Sequence, residues 1–183
     1  MAPLVVVLAS LLQFLLAATF LILPAVGRLR GPDAQRAAEA DVARQGFPVA
    51  VLTQRRIDFG ASRASVVLAV AIGLCFATLG ALDLAGSEVG RTLSWICQPI
   101  ILVLGAVIMP GEVFTVRYVE SAFEKSGDPA LRGIDVKAFV DAARGAYPGW
   151  FGFVVAARLA LATVGSLLVI VLLAVPQASA YFR

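Results

Sequence analysis

The chain has 183 residues and a formal net charge of +3, with 60% of its residues hydrophobic and 15% charged. Its mean hydropathy of +0.91 lies outside the range of soluble domains. So small a positive charge also excludes a nucleic-acid partner as the reason for the basic residues, which topology explains better.

Histidine is absent, which removes the usual haem ligand, the commonest metal ligand and the commonest general base. Cys75 and Cys97 both lie in apolar runs with neither redox nor zinc spacing. No cofactor and no metal site are expected, and buried cysteine packs as a small apolar residue.

The first apolar run, 3–26, exceeds the ~20 residues that a helix needs to cross ~30 Å of hydrocarbon. No Lys or Arg precedes it, so it reads as a retained first span with its amino end outside. Gln13 is its one amide and needs a partner on another helix.

The connection 27–64 carries Arg28, Arg30, Arg36, Arg44, Arg55, Arg56 and Arg63 against Asp33, Glu39, Asp41 and Asp58. Pro32 and Asp33 start a separate helix that stops at Gly46 and Pro48. The stretch 49–58 either lies along lipid headgroups, with Arg55 and Arg56 on phosphate, or is an amphipathic connector packed on the bundle.

The second run, 65–84, holds a ladder of small residues at four-residue spacing, Ala69, Gly73, Ala77 and Ala81. Such a face lets helices approach closely, within one bundle or between chains. A short hairpin at 86–90 follows, flanked by Asp83 and Arg91, which are placed to pair across it.

In the third run, 93–111, Gln98-Pro99 marks a helix contact with a kink or the lining of a pathway. Pro110-Gly111 kinks the helix where it leaves the bilayer, and the helix continues to Ser126 before Gly127-Asp128-Pro129 ends it. The connection 112–150 brings Arg117, Lys125, Arg132, Lys137 and Arg144. It also brings the acids Glu120, Glu124, Asp128, Asp135 and Asp141, and a helix over 135–144. Tyr118, Tyr147 and Trp150 suit one membrane interface, Tyr181 and Phe182 the other.

The fourth run, 151–175, repeats the small spacing at Gly152, Ala156 and Ala160. It also carries Arg158, which is costly in hydrocarbon, at ~2.5–3.5 kcal/mol on insertion scales. Glu112 lies at comparable depth on the antiparallel third span and is its expected partner. An anionic substrate or lipid head is the alternative partner.

Four spans and a basic first loop are similar in outline to the small glutathione-dependent membrane enzymes of eicosanoid metabolism. Those carry an Asn/Glu motif at the start of the second span, where this chain reads Ala-Ser-Arg-Ala-Ser-Val-Val-Leu over 61–68. The outline matches and the chemistry does not.

The fold expected is all-α: a single integral membrane domain over 1–183, a four-helix transmembrane bundle with short amphipathic cytoplasmic helices. Both long connections face the cytoplasm and both termini face out of a bacterial plasma membrane, since Lys and Arg in short loops mark the inner side. The bias of arginine over lysine, with no asparagine, fits a GC-rich genome.

The function expected is that of a non-catalytic integral subunit or accessory protein of a larger envelope complex. Its partners would be lipid and other membrane subunits or further copies of itself. The alternative is a binding or transport protein for a lipid or amphiphilic anion, using Arg158, Glu112, Gln98 and Gln13. Third is a lipid-modifying enzyme working through the loop carboxylates.

Overall fold

The computed structural model describes residues 2–55, 57–126, 131 and 133–182, with Ser126 as backbone only. Arg56, Asp128 and Arg132 therefore lie outside the described residues, as does the terminator at 127–129. The described chain is helical, and four of its helical stretches are long and apolar enough to cross a membrane.

The first is α1, Leu4–Arg44, a single helix of 41 residues. At 1.5 Å per residue it is about 60 Å long, twice the hydrocarbon thickness. The sequence placed its end at Val26 and a new helix at Pro32, but the helix runs through both Pro24 and Pro32. Each proline removes one intrahelical donor. What carries the helix onward is the four-residue stripe Ala34, Ala38 and Val42, all fully buried.

That stripe is one wall of a packed headpiece. Short α2, Ala50–Gln54, turns back after Gly46, whose φ of +84° ends the chain reversal in a conformation that suits glycine. Leu52 of α2, Val119 and Phe123 of α6 (Thr115–Ser126) and Phe139 and Val140 of α7 (Val136–Gly145) close around α1. The connector thus buries its apolar residues in the headpiece, with Val51 and Ile57 packed on the same cluster.

Gln45 pins the end of α1 to the start of α7, accepting from Asp135 N at 2.8 Å and donating to Asp135 O at 3.2 Å. Asp135 also caps α7 by accepting from Ala138 N at 3.0 Å. Gly31 meets Gly60 backbone to backbone, where an added Cβ would lie 2.4 Å from the Gly60 Cα. The Tyr147 hydroxyl donates to Phe59 O.

The remaining long helices are α3, Arg63–Leu84, then α4, Glu88–Ile108, and a final run made of α8, Phe151–Ala160, and α9, Ser166–Ala174. A π-helical turn, Leu161–Gly165, joins α8 to α9. Helix α1 packs on α3 and on the α8–α9 run, and α4 packs on α3 and on α9, so α1 and α4 face each other diagonally. α4 stays helical through Pro99, whose ring is exposed. Two breaks do follow, one before α5, Pro110–Val113, and one at Phe114 before α6.

The small residues divide by face. Gly73 is buried, and an added Cβ would lie 3.0 Å from Leu21 Cδ2 and 3.2 Å from Ala17 O. Ala69 and Ala77 are half-buried beside the same core cluster. Ala81 points outward, and the contact expected of it is made by Gly80 against Phe14 and Ser10. On the fourth run the inward contact is Ala162 on Gly105, while Gly152, Ala156 and Ala160 face away from the bundle.

Two outcomes are expected. Gly73→Leu should cost about 1–3 kcal/mol through overpacking, read as a lower melting temperature in detergent, whereas Ala81→Leu should melt as the wild type. In the headpiece, burial and then the Asp58 carboxylate push the Tyr147 phenol above its ordinary value. A raised acid favours the folded state below the unfolded value near ~10 and loses that contribution as pH climbs through the folded value. Alkaline absorbance titration should show one late-titrating tyrosine that Tyr147→Phe removes.

Candidate functional site in the bundle interior

The apolar bundle carries polar side chains at two levels. Near the end of the bundle that holds the termini, Gln13 of α1, Asp83 of α3 and Ser94 of α4 are fully buried. Gln13 Nε2 donates to Asp83 Oδ2 at 3.0 Å and to Ser94 Oγ at 3.1 Å, and Ser94 Oγ donates to Asp83 Oδ2 at 2.9 Å. The triangle joins three helices and reaches across the α1–α4 diagonal.

Two further buried polar residues share these helix faces. Ser10 stands three residues before Gln13 on α1, and Gln98 four residues after Ser94 on α4. Ser10 Oγ, Gln13 Oε1, Asp83 Oδ1 and both amide atoms of Gln98 have no hydrogen-bond partner among the described residues. Unpaired polar groups in hydrocarbon cost several kcal/mol each, at ~2–7 kcal/mol by transfer scales.

This corrects the expected pairing of Asp83 with Arg91 across the hairpin. Asp83 turns inward, and Arg91 Nη2 donates to Leu173 O at 3.1 Å and to Ser179 Oγ at 2.7 Å, with its guanidinium 5.4 Å from the Phe182 ring centre. Arg91 thereby holds the short C-terminal helix α10, Pro176–Tyr181, over the end of the bundle. Tyr181 adds a hydrogen bond from its hydroxyl to Leu84 O at 2.7 Å.

At the opposite end, Arg158 Nη2 pairs with Glu112 Oε2, the partner that counting residues along the two spans anticipated. The break at Met109–Pro110 tips α5 against α8 and brings the carboxylate to the guanidinium. Arg158 is buried at 9% exposure and its guanidinium lies 5.4 Å from the Phe20 ring centre. Glu112 remains half exposed, so the pair sits at the rim of the apolar region. A cleft of about 520 Å³ lies beside Glu112, bounded by Val107, Ile108, Pro110, Gly111 and Tyr118.

The candidate residues thus fall into separate places. Gln13 joins Asp83 and Ser94, Gln98 sits one turn along without a partner, and Arg158 with Glu112 lies at the other end. A second cleft, about 260 Å³, opens by Arg28, Gln35, Asp58 and Ser62. Neither Gln98 nor Arg158 lines either cleft. Arg55 is exposed on the headpiece surface. Among the described residues no three His, Cys, Asp or Glu side chains gather to hold a metal ion.

Compared with known proteins, the chain matches no family model, no curated protein and no solved structure.

Glu112→Gln and Arg158→Gln should each lower the melting temperature. Breaking a fully buried pair costs about 3–5 kcal/mol, and the water-facing side of Glu112 brings the expected loss nearer 1–2 kcal/mol. The double variant should lose less than the sum of the two, because each single change leaves the other group alone. Strict additivity in that cycle means that the two side chains do not act as a pair.

Proposed function

We propose that this chain is a non-catalytic integral subunit of a larger bacterial envelope complex, seated in the plasma membrane with its headpiece in the cytoplasm and its termini outside. The orientation rests on charge: Arg28, Arg30, Arg36, Arg44, Arg117, Lys125, Lys137 and Arg144 all lie on the headpiece or its approaches. Among the described residues, only Arg91 belongs to the other end.

The observation that carries the subunit reading is the outward face of α8. Gly152, Ala156 and Ala160 recur every four residues, all exposed, and nothing lies within 4 Å of a Cβ placed on Gly152. The inward side of the same run is already packed through Ala162 on Gly105. A ridge of small residues gives lipid chains no advantage, whereas a second helix can lie close against it and gain dispersion contacts. Exposed Trp150 and Phe153 extend the same surface towards the headpiece.

A second reading, binding of a lipid or amphiphilic anion at Arg158, draws on the cleft beside Glu112 and on Arg158 Nε, which has no partner among the described residues. It requires the anion to displace Glu112.

Cross-linking in native membranes tests the subunit reading. With Cys75 and Cys97 replaced, Gly152→Cys and Ala156→Cys should give adducts with a neighbouring protein, and Val103→Cys on exposed α4 should not. Ala156→Leu should leave the melting temperature of the purified chain unchanged while dissolving the larger assembly. Equal cross-linking from both faces, or none from α8, contradicts the proposal.

A further inference from the structure

We propose that the Gln13–Asp83–Ser94 centre is a binding site for a dehydrated monovalent cation of the sodium class, with a proton as its competitor. Both hydrogens of the Gln13 amide are engaged, one on Asp83 Oδ2 and one on Ser94 Oγ. The single hydroxyl hydrogen of Ser94 is engaged on the same Oδ2. What remains on the triangle is acceptor only, Gln13 Oε1 and Asp83 Oδ1.

One turn away on either side, Ser10 Oγ and Gln98 Oε1 are also buried and unpartnered. Carboxylate, amide and hydroxyl oxygens are the donors that hard cations prefer. A proton on Asp83 would satisfy Oδ1 and at most one neighbour. A cation can take Asp83 Oδ1, Gln13 Oε1 and one of the two flanking groups together.

Charge fixes the valence. Asp83 is the one carboxylate at this level, so a single positive charge neutralises the site and a divalent ion would leave an excess. Arg91 acts on Asp83 only through space, and among the described residues no ion pair joins the two. The apolar part of α1 carries no charged residue before Arg28, and α9 and α10 carry none. α4 brings Glu88, which is exposed, and Arg91, which is committed to Leu173 O, Ser179 and Phe182. Asp83 is the penultimate residue of α3, so the centre lies within about one helical turn of the end of that helix.

The full chain, purified in mild detergent with choline as the only cation, is melted in NaCl, LiCl, KCl or choline chloride at matched ionic strength. This is done at neutral and at alkaline pH. The wild type should gain a saturable rise of a few degrees with NaCl over choline chloride. Where Asp83 exchanges one proton for one ion, the NaCl midpoint should rise about tenfold for each unit that pH is lowered. Asp83→Asn should melt cooperatively and show no sodium response. If Asp83→Asn does not fold, Ser94→Ala should show the response weakened while the wild-type salt series stands alone. Identical wild-type melting in all four salts overturns the proposal, as does a pH response with no salt component, which would mean a proton alone. A sodium response retained in folded Asp83→Asn overturns it too, since the ion would then bind elsewhere.

Discussion

A polar side chain carried into hydrocarbon has no water to turn to, so it must be answered by another helix. That constraint organises this bundle at both ends. Near the termini, Gln13, Asp83 and Ser94 tie α1, α3 and α4 into one triangle, including the two helices that otherwise face each other across the diagonal. Towards the headpiece, Arg158 draws α8, α5 and α1 together through Glu112 and the Phe20 ring. Between the two lies apolar packing, Leu16, Phe20, Phe76, Leu79, Ile101 and Ala162, which is tight but carries little directional information. Individual interhelical hydrogen bonds in membranes are worth only about 0.6 kcal/mol. Their importance here is that they fix rotation and register, which dispersion alone leaves loose.

The long first helix turns that local order into a larger architecture. Because α1 does not stop at the edge of the apolar region, the bundle and the headpiece share one rigid element. The headpiece core of Ala38, Val42, Leu52, Phe123 and Phe139 is built on its extension. The Pro110 break does the opposite on the third span: it redirects the chain so that Glu112 meets Arg158 and α6 can return to the headpiece. Continuity in one helix and interruption in another are therefore two parts of the same construction. Both leave most of the described basic residues on one side.

Much of this was legible in the sequence because hydrocarbon imposes a harsh filter on composition. Long apolar runs can only be spans, and Arg158 inside one of them had to be answered at its own depth, which pointed to Glu112. Three features were not legible. Pro24 and Pro32 signal helix ends locally, and only the docking of Ala34, Ala38 and Val42 into a distant core overrides them. Asp83, at the end of its span, looked like a surface partner for Arg91, because sequence cannot tell which way a residue near a helix end faces. The signal that could have found it was already present: Gln13 needed a partner, and Asp83 lies on a span antiparallel to it. Four-residue spacing picked out Gly73, which packs on Ala17 and Leu21, yet Gly80 took the contact assigned to Ala81, and the α8 ladder turned outward. Periodicity gives a face, and packing decides where it points.

The burial of Asp83 is the point on which this arrangement turns, and carboxyl labelling measures it directly. A water-soluble carbodiimide with an amine nucleophile, followed by peptide mass spectrometry, compares Asp83 with Glu88, the exposed acid five residues along the chain. In the folded protein Glu88 should be modified and Asp83 should stay protected until the chain is denatured. Modification of Asp83 as fast as Glu88 in the folded state would place it at the surface and contradict the buried centre.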